Sequence, residues 1–213
     1  MSSDARRKMV QSAVILLATR GLQGTAFSDV VERSGAPRGS IYHHFPAGKD
    51  ELVEAAVHLA GDRALGVLDA VDGQPPKAVT AFFLDVWREV LVRSGLRAGC
   101  AVLAVTVATD SPELLEHASA VFRAWRSRLA ELYVRGGLQP DEAARLAATL
   151  VASSEGAVVL SRAERSLEPF ELVAAELLSI TPDPAEPPPA APARQNRQRE
   201  VDRDADRGHG RDG

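Results

Sequence analysis

The stretch Ser34–Leu52, "SGAPRGSIYHHFPAGKDEL", decides how the rest of the chain is read. Gly35 supplies a sharp turn, and Pro37 can open a helix because a first-turn N–H has no helical partner. The pattern predicts a short helix over about Pro37–Phe45 that displays Arg38, Ser40, Tyr42, His43 and His44. Such a short helix is not stable alone in water. Ile41 and Phe45 must therefore face inward and be held by neighbours, which leaves a polar, aromatic and basic surface outside. Upstream, a helix from about Ser28, read as its N-cap, to Ser34 carries Val30 and Val31. Helix, Gly-containing turn and short helix together make a helix-turn-helix. Before it, a helix from about Ser3 to Arg20 has Met9, Ala13, Leu16 and Leu17 as its apolar stripe, and Gly21 ends it.

Downstream, helical periodicity continues. Helices are predicted over about Lys49–Val71, Lys77–Arg93, Pro112–Arg135, Asp141–Leu167 and Pro169–Ser179, separated by "DGQPP", "SGLRAG" and "GGLQPDE". The apolar stretch "CAVLAVTVATD" satisfies strand propensity as well, but between helical neighbours it reads as a buried helix. From Thr181 onward the chain is rich in Pro and Ala and then alternates Arg with Asp. It has too few apolar residues to offset ordering entropy, so disorder is expected there.

The chain has 213 residues and a formal net charge of −4. Residues 1–50 hold seven Lys or Arg against four acidic residues, a local +3 that leaves −7 for the remainder. A basic head on an acidic body can grip phosphate locally while the body is repelled. No uninterrupted apolar run reaches the ~18 residues of a membrane span. The N-terminus lacks a cleavage site, and the single cysteine, Cys100, allows no intrachain disulfide. A cytoplasmic protein is expected.

"RGLQGTAFSDVVERSGAPRGSIYHHFPAGKDEL" resembles the N-terminal DNA-binding domain of TetR/AcrR-family transcriptional regulators. The shared pattern is Gly-Leu-x-x-Thr, a helix, Ser-Gly-x-x-x-Gly-Ser/Thr-x-Tyr-x-His-Phe, then Lys-Asp/Glu-x-Leu. The spacing "FPAGK", one residue longer than the commonest form, is similar to the LmrA/YxaF-type branch. The resemblance implies an all-α fold with three parts: a helix-turn-helix domain at 1–48, a helical ligand-binding and dimerisation domain at 49–180, and a tail at 181–213.

A helix in the major groove reads sequence through side chains that reach base edges. Arg38, Gly39, Ser40 and His43 are the candidates for base contact: Arg38 as a bidentate donor to guanine, Gly39 for close backbone approach. The resemblance assigns phosphate contact to Tyr42 and His44 and extends it to Ser40. Thr25 and Lys49 would clamp the flanking backbone. His43 and His44 diverge by ~100° on a helix and cannot readily share a metal ion. No metal and no cofactor is expected.

For the second domain the family fold would place Phe82, Phe83, Trp87, Phe122 and Trp125 around an effector cavity. The few accompanying polar residues favour an apolar or aromatic ligand. Cys100 reads as an inert buried thiol, with no basic residue nearer in sequence than Arg97. The small-residue helix from Asp141 and the last helix read as a homodimer interface, through Ala147, Leu150, Ser154, Ala157, Phe170 and Leu177. A dimer would set two recognition helices ~34 Å apart on a palindromic operator. The implied function is a ligand-responsive homodimeric regulator, a repressor first and an activator second. An enzyme using the cavity is the weaker alternative. The chain shows no Gly-x-Ser-x-Gly elbow, phosphate-binding loop or metal-ligand spacing, and Glu113, Glu116 and His117 read as a solvated capping turn. A purely structural helical module would leave Arg38, Ser40 and Tyr42 without purpose.

Overall fold

The computed structural model describes residues 2–182, and the tail expected to be disordered lies outside the described residues from 183 onward. Nine α-helices run through the described part: α1 (Ser2–Arg20), α2 (Phe27–Ser34), α3 (Ser40–His44), α4 (Lys49–Leu68), α5 (Pro76–Ser94), α6 (Ala101–Thr106), α7 (Pro112–Arg135), α8 (Pro140–Glu164) and α9 (Glu168–Ile180). Proline in the first turn starts α5, α7, α8 and α9, where its missing N–H costs no helical bond.

Several boundaries differ from the sequence reading. Ser28 does not cap α2. Ala26, in extended backbone, takes that position without a side-chain bond, so Ser28 lies in the first turn. Pro37 does not open the recognition helix either. The Ser40 N–H donates to the Pro37 carbonyl at 2.9 Å in a separate turn, and α3 is five residues long. α4 tightens into a 3₁₀ turn at Asp69–Val71, and α8 stops at Glu164 because Arg165 adopts the left-handed conformation at φ +52°. The ambiguous apolar stretch is a helix, α6. The Cys100 sulfur caps it, accepting from the Leu103 N–H at 3.3 Å.

Two apolar clusters form the core. The first unites Leu17, Val30, Val31, Ile41 and Phe45 of the head with Leu52, Val53 and Val57 of α4, and with residues of α6 and α7. Packing therefore crosses residue 48 without a break. The second cluster lies among α5, α7, α8 and α9 and includes Leu84, Leu129, Leu150, Phe170 and Leu177. A buried hydroxyl chain stitches it together: Thr80 meets Tyr133 at 2.7 Å and Thr181 at 3.1 Å. Arg88 adds a bidentate pair to Glu171, at 2.6 and 2.9 Å, tying α5 to α9. Among the described residues, α8 alone is long and apolar enough to cross a membrane, and half of its most apolar window is buried inside the fold.

α4 and α7 run side by side in the same direction. His58 meets His117, the Trp125 indole N–H donates to the Gly61 carbonyl at 3.2 Å, and Arg128 pairs with Asp69 at 2.7 Å. Gly61 faces Val121 of α7 tightly: a Cβ there would stand 2.9 Å from both Val121 γ-carbons. Gly61→Ala should therefore destabilise the fold by about 1–3 kcal/mol through overpacking. Gly66→Ala, in open space on the same helix, should stabilise by roughly 0.5–1 kcal/mol. Urea-unfolding midpoints of the two variants check the pair.

Candidate functional site

Ile41 and Phe45 are almost completely buried, each 1% exposed, and they press α3 against α1, α2 and α4. The Arg6 guanidinium lies over the outer face of the Phe45 ring, 5.0 Å from its centroid. With the apolar side held, the other side is free. Arg38 and Gly39 are exposed on the turn ahead of α3, His43 is exposed and His44 half-buried. Tyr42 is 68% exposed, with its ring edge-on to Phe27 at 5.6 Å. The Ser40 hydroxyl donates to the Pro37 carbonyl at 2.7 Å, which steadies the turn that presents Arg38. Arg38, Gly39, Ser40, Tyr42, His43 and His44 are thus brought together around one short helix.

Two expected members sit differently. Thr25 is 1% exposed, and its hydroxyl donates to the Gly21 carbonyl at 2.8 Å. It is a buried brace for the α1–α2 turn, enclosed by the fold. Lys49, half-buried, donates from Nζ to the Leu22 carbonyl at 2.8 Å. That bond ties the start of α4 to the same turn.

Behind the head lies a cavity of about 310 Å³, at the small end of the range for ligand sites. Phe83, Trp87 and Trp125 line it as expected, but Phe82 and Phe122 do not. Phe122 packs edge-on against Trp125 at 5.5 Å as a layer behind the wall, and Phe82 faces the second core cluster. The wall also includes Val14 and Ala18 of α1 and Ala60 and Ala64 of α4. These small residues were missed because nothing in their own pattern distinguishes a cavity wall from a packed stripe. The one charged side chain on the wall is Arg63. The Gly99 N–H, on the loop before α6, donates to the Ala18 carbonyl at 2.9 Å, so the cavity rim is bonded to the end of α1.

Cys100 lines the cavity, and burial together with the charge of Glu155 pushes its thiol well above the ordinary range. Glu155 itself is 8% exposed, neither of its oxygens has a partner at ordinary hydrogen-bond geometry among the described residues, and burial pushes its carboxyl up to about 7. The neighbouring thiol, a weak donor, only partly offsets that burial.

The six residues expected at a dimer interface are a correction. Ala147, Leu150, Ser154, Ala157, Phe170 and Leu177 are all at most 2% exposed within one chain, because α8 and α9 turn their larger apolar stripes inward. The outward face of α8 is instead Ala152, Gly156, Val159 and Leu160, followed on α9 by Leu172 and Ile180.

Residues 10–56 match the family of bacterial regulatory proteins named for TetR, and residues 75–176 match the LmrA/YxaF-like transcriptional regulator C-terminal domain. The uncharacterised HTH-type transcriptional regulator Rv0196 of Mycobacterium tuberculosis (strain H37Rv) is 35% identical over 182 residues, covering 82% of this chain and 93% of its own. The chain belongs to the TetR family of transcriptional regulators. The HTH-type transcriptional regulator LmrA of Bacillus subtilis is 27% identical over 173 residues, 78% of this chain and 91% of its own. In fold, this TetR-family chain is similar to the regulatory protein TetR from Rhodobacter sphaeroides, with a TM-score of 0.75 at 22% identity over 84% of this chain and 99% of that one. It is an HTH DNA-binding transcriptional regulator and not an enzyme.

Because Glu155 holds its proton more tightly folded than unfolded, its contribution to stability is complete below the ordinary carboxyl range. That contribution is lost as pH rises through about 7. Glu155→Gln should remove this loss and stabilise the protein by on the order of 2–3 kcal/mol at pH 8 while changing little at pH 4.5. Thermal melts of both proteins across that range check it; parallel curves would contradict it.

Proposed function

We propose that the protein is a ligand-responsive homodimeric repressor that binds a palindromic operator through Arg38, Gly39, Ser40 and His43 at base edges and Tyr42, His44 and Lys49 at phosphates. A small apolar or aromatic effector releases it. An activator of the same build is the second reading. Thr25 takes part as the brace of the turn behind the contact residues, since its side chain is enclosed by the fold.

The observation that carries the effector reading is the composition of the cavity wall. Val14 and Ala18 belong to the helix that supports α2 and α3, and Ala60 and Ala64 belong to α4, which starts four residues after Phe45. The remaining wall comes from further residues of α4, from α5, α6 and α7, and from the loop that precedes α6. A ligand that fits the cavity better when α1 and α4 stand further from α5–α7 shifts the head by that difference in affinity. The almost wholly apolar wall supports an apolar ligand. Functionally, 1–48 is the DNA-reading part and 49–180 the responding part, although their cores are continuous. The chain works in the cytoplasm, beside the DNA.

The face made by Ala152, Gly156, Val159, Leu160, Leu172 and Ile180 supports pairing with a second copy through α8 and α9, with small residues allowing close approach and large ones supplying apolar area.

Fluorescence anisotropy against DNA flanking the protein's own gene, with random DNA as control, tests the reading. Arg38→Ala should cost about 1–3 kcal/mol and relax discrimination at one base position; an equal loss on random DNA would contradict base reading. Leu160→Arg should yield a monomer by sedimentation and weaken operator binding, whereas an unchanged dimer would move the interface elsewhere.

A further inference from the structure

Glu54 and His58 are four residues apart on α4 and so share one face. His117 meets them from α7. His58 Nε2 lies 3.1 Å from His117 Nδ1, and Glu54 Oε1 lies 3.3 Å from His117 Nε2 and 3.9 Å from His58 Nε2. One ligand atom from each residue can be chosen so that all lie within 4.8 Å of one another.

We propose that Glu54, His58 and His117 form a binding site for a divalent transition-metal ion of the zinc type. Two imidazoles and a carboxylate are the donor set that such ions prefer over calcium or magnesium. With bonds of about 2.0–2.1 Å, tetrahedral ligands stand roughly 3.3 Å apart. The Glu54–His117 contact at 3.3 Å has that length and the Glu54–His58 contact at 3.9 Å is longer, while the 3.1 Å contact to His58 uses the other His117 nitrogen. A modest turn of the His117 ring, which now faces one neighbour with each nitrogen, brings a single nitrogen to the ion.

The ligands are preorganised by the helices that carry them. Gly61 and Val121, close after His58 and His117, hold α4 and α7 in contact at a spacing no side chain can widen cheaply. The site also stays open to solvent: the three side chains are 43%, 48% and 32% exposed for Glu54, His58 and His117. Three protein ligands leave a position for water or a further ligand. A bound ion cross-links the second and third turns of α4 to α7. This assignment does not depend on the effector reading.

The test uses the full-length chain without an affinity tag, stripped of metal, titrated with Co²⁺ and followed by its visible d–d absorption, then competed with Zn²⁺. The expected result is one Co²⁺ per chain, displaced by Zn²⁺, with Zn²⁺ raising the melting temperature. His117→Ala and the milder Glu54→Gln should each lower affinity about tenfold or more and abolish the thermal shift. The double variant His43→Gln/His44→Gln should bind as the parent does. Absence of the Co²⁺ band, its retention in His117→Ala, or its loss in the His43/His44 variant would each overturn the assignment.

Discussion

A five-residue helix such as α3 has no stability of its own in water, so its existence depends on the burial of Ile41 and Phe45 against Leu17, Val30, Val31 and the start of α4. Everything the head exposes around α3 follows from that insertion. It leaves Arg38, Tyr42 and His43 outside, and the Pro37–Ser40 turn aims them. Lys49 and Thr25 serve the same constraint from behind, by satisfying the carbonyls of Leu22 and Gly21 where α1 ends and the chain turns.

The same packing joins the head to the cavity behind it. Because the head's core continues into α4, α6 and α7, no soft linker separates the DNA-reading helices from the cavity behind them. α1 is at once the support of α2 and a wall of the cavity, and its end is bonded through Ala18 to Gly99 on the rim. A change at the cavity has little slack to absorb it, as expected of close-packed interiors. The proposed metal ligands sit on the same α4–α7 seam, nearer the head than most of the cavity wall.

The fold and the exposed side chains around α3 were legible in the sequence for local reasons. Helical spacing of apolar residues, Pro at helix starts and the Ser34–Leu52 motif are properties of short stretches, and they identified the helices and the exposed side chains around α3. Errors in that layer were small and also local: Ala26 in place of Ser28 as the cap, and a recognition helix starting at Ser40 rather than Pro37.

What the sequence could not determine was which side of a helix faces a neighbour and which faces water once several helices compete. α8 has small and apolar residues nearly all round, so its period did not show that Leu150 and Ala157 turn inward while Gly156 and Leu160 turn out. Phe82 and Phe83 are adjacent, and only packing buries the second in the core along the cavity wall and leaves the first half-buried against that core. Glu54, His58 and His117 are separated by up to 63 residues and meet only because α4 and α7 run side by side. By itself, then, the sequence determined the helices, the family and the side chains exposed around α3, since each depends on residues close along the chain. The cavity wall, the outward face of α8 and the metal ligands were decided by tertiary structure, because each is a meeting of side chains that only the crossing of helices brings within reach.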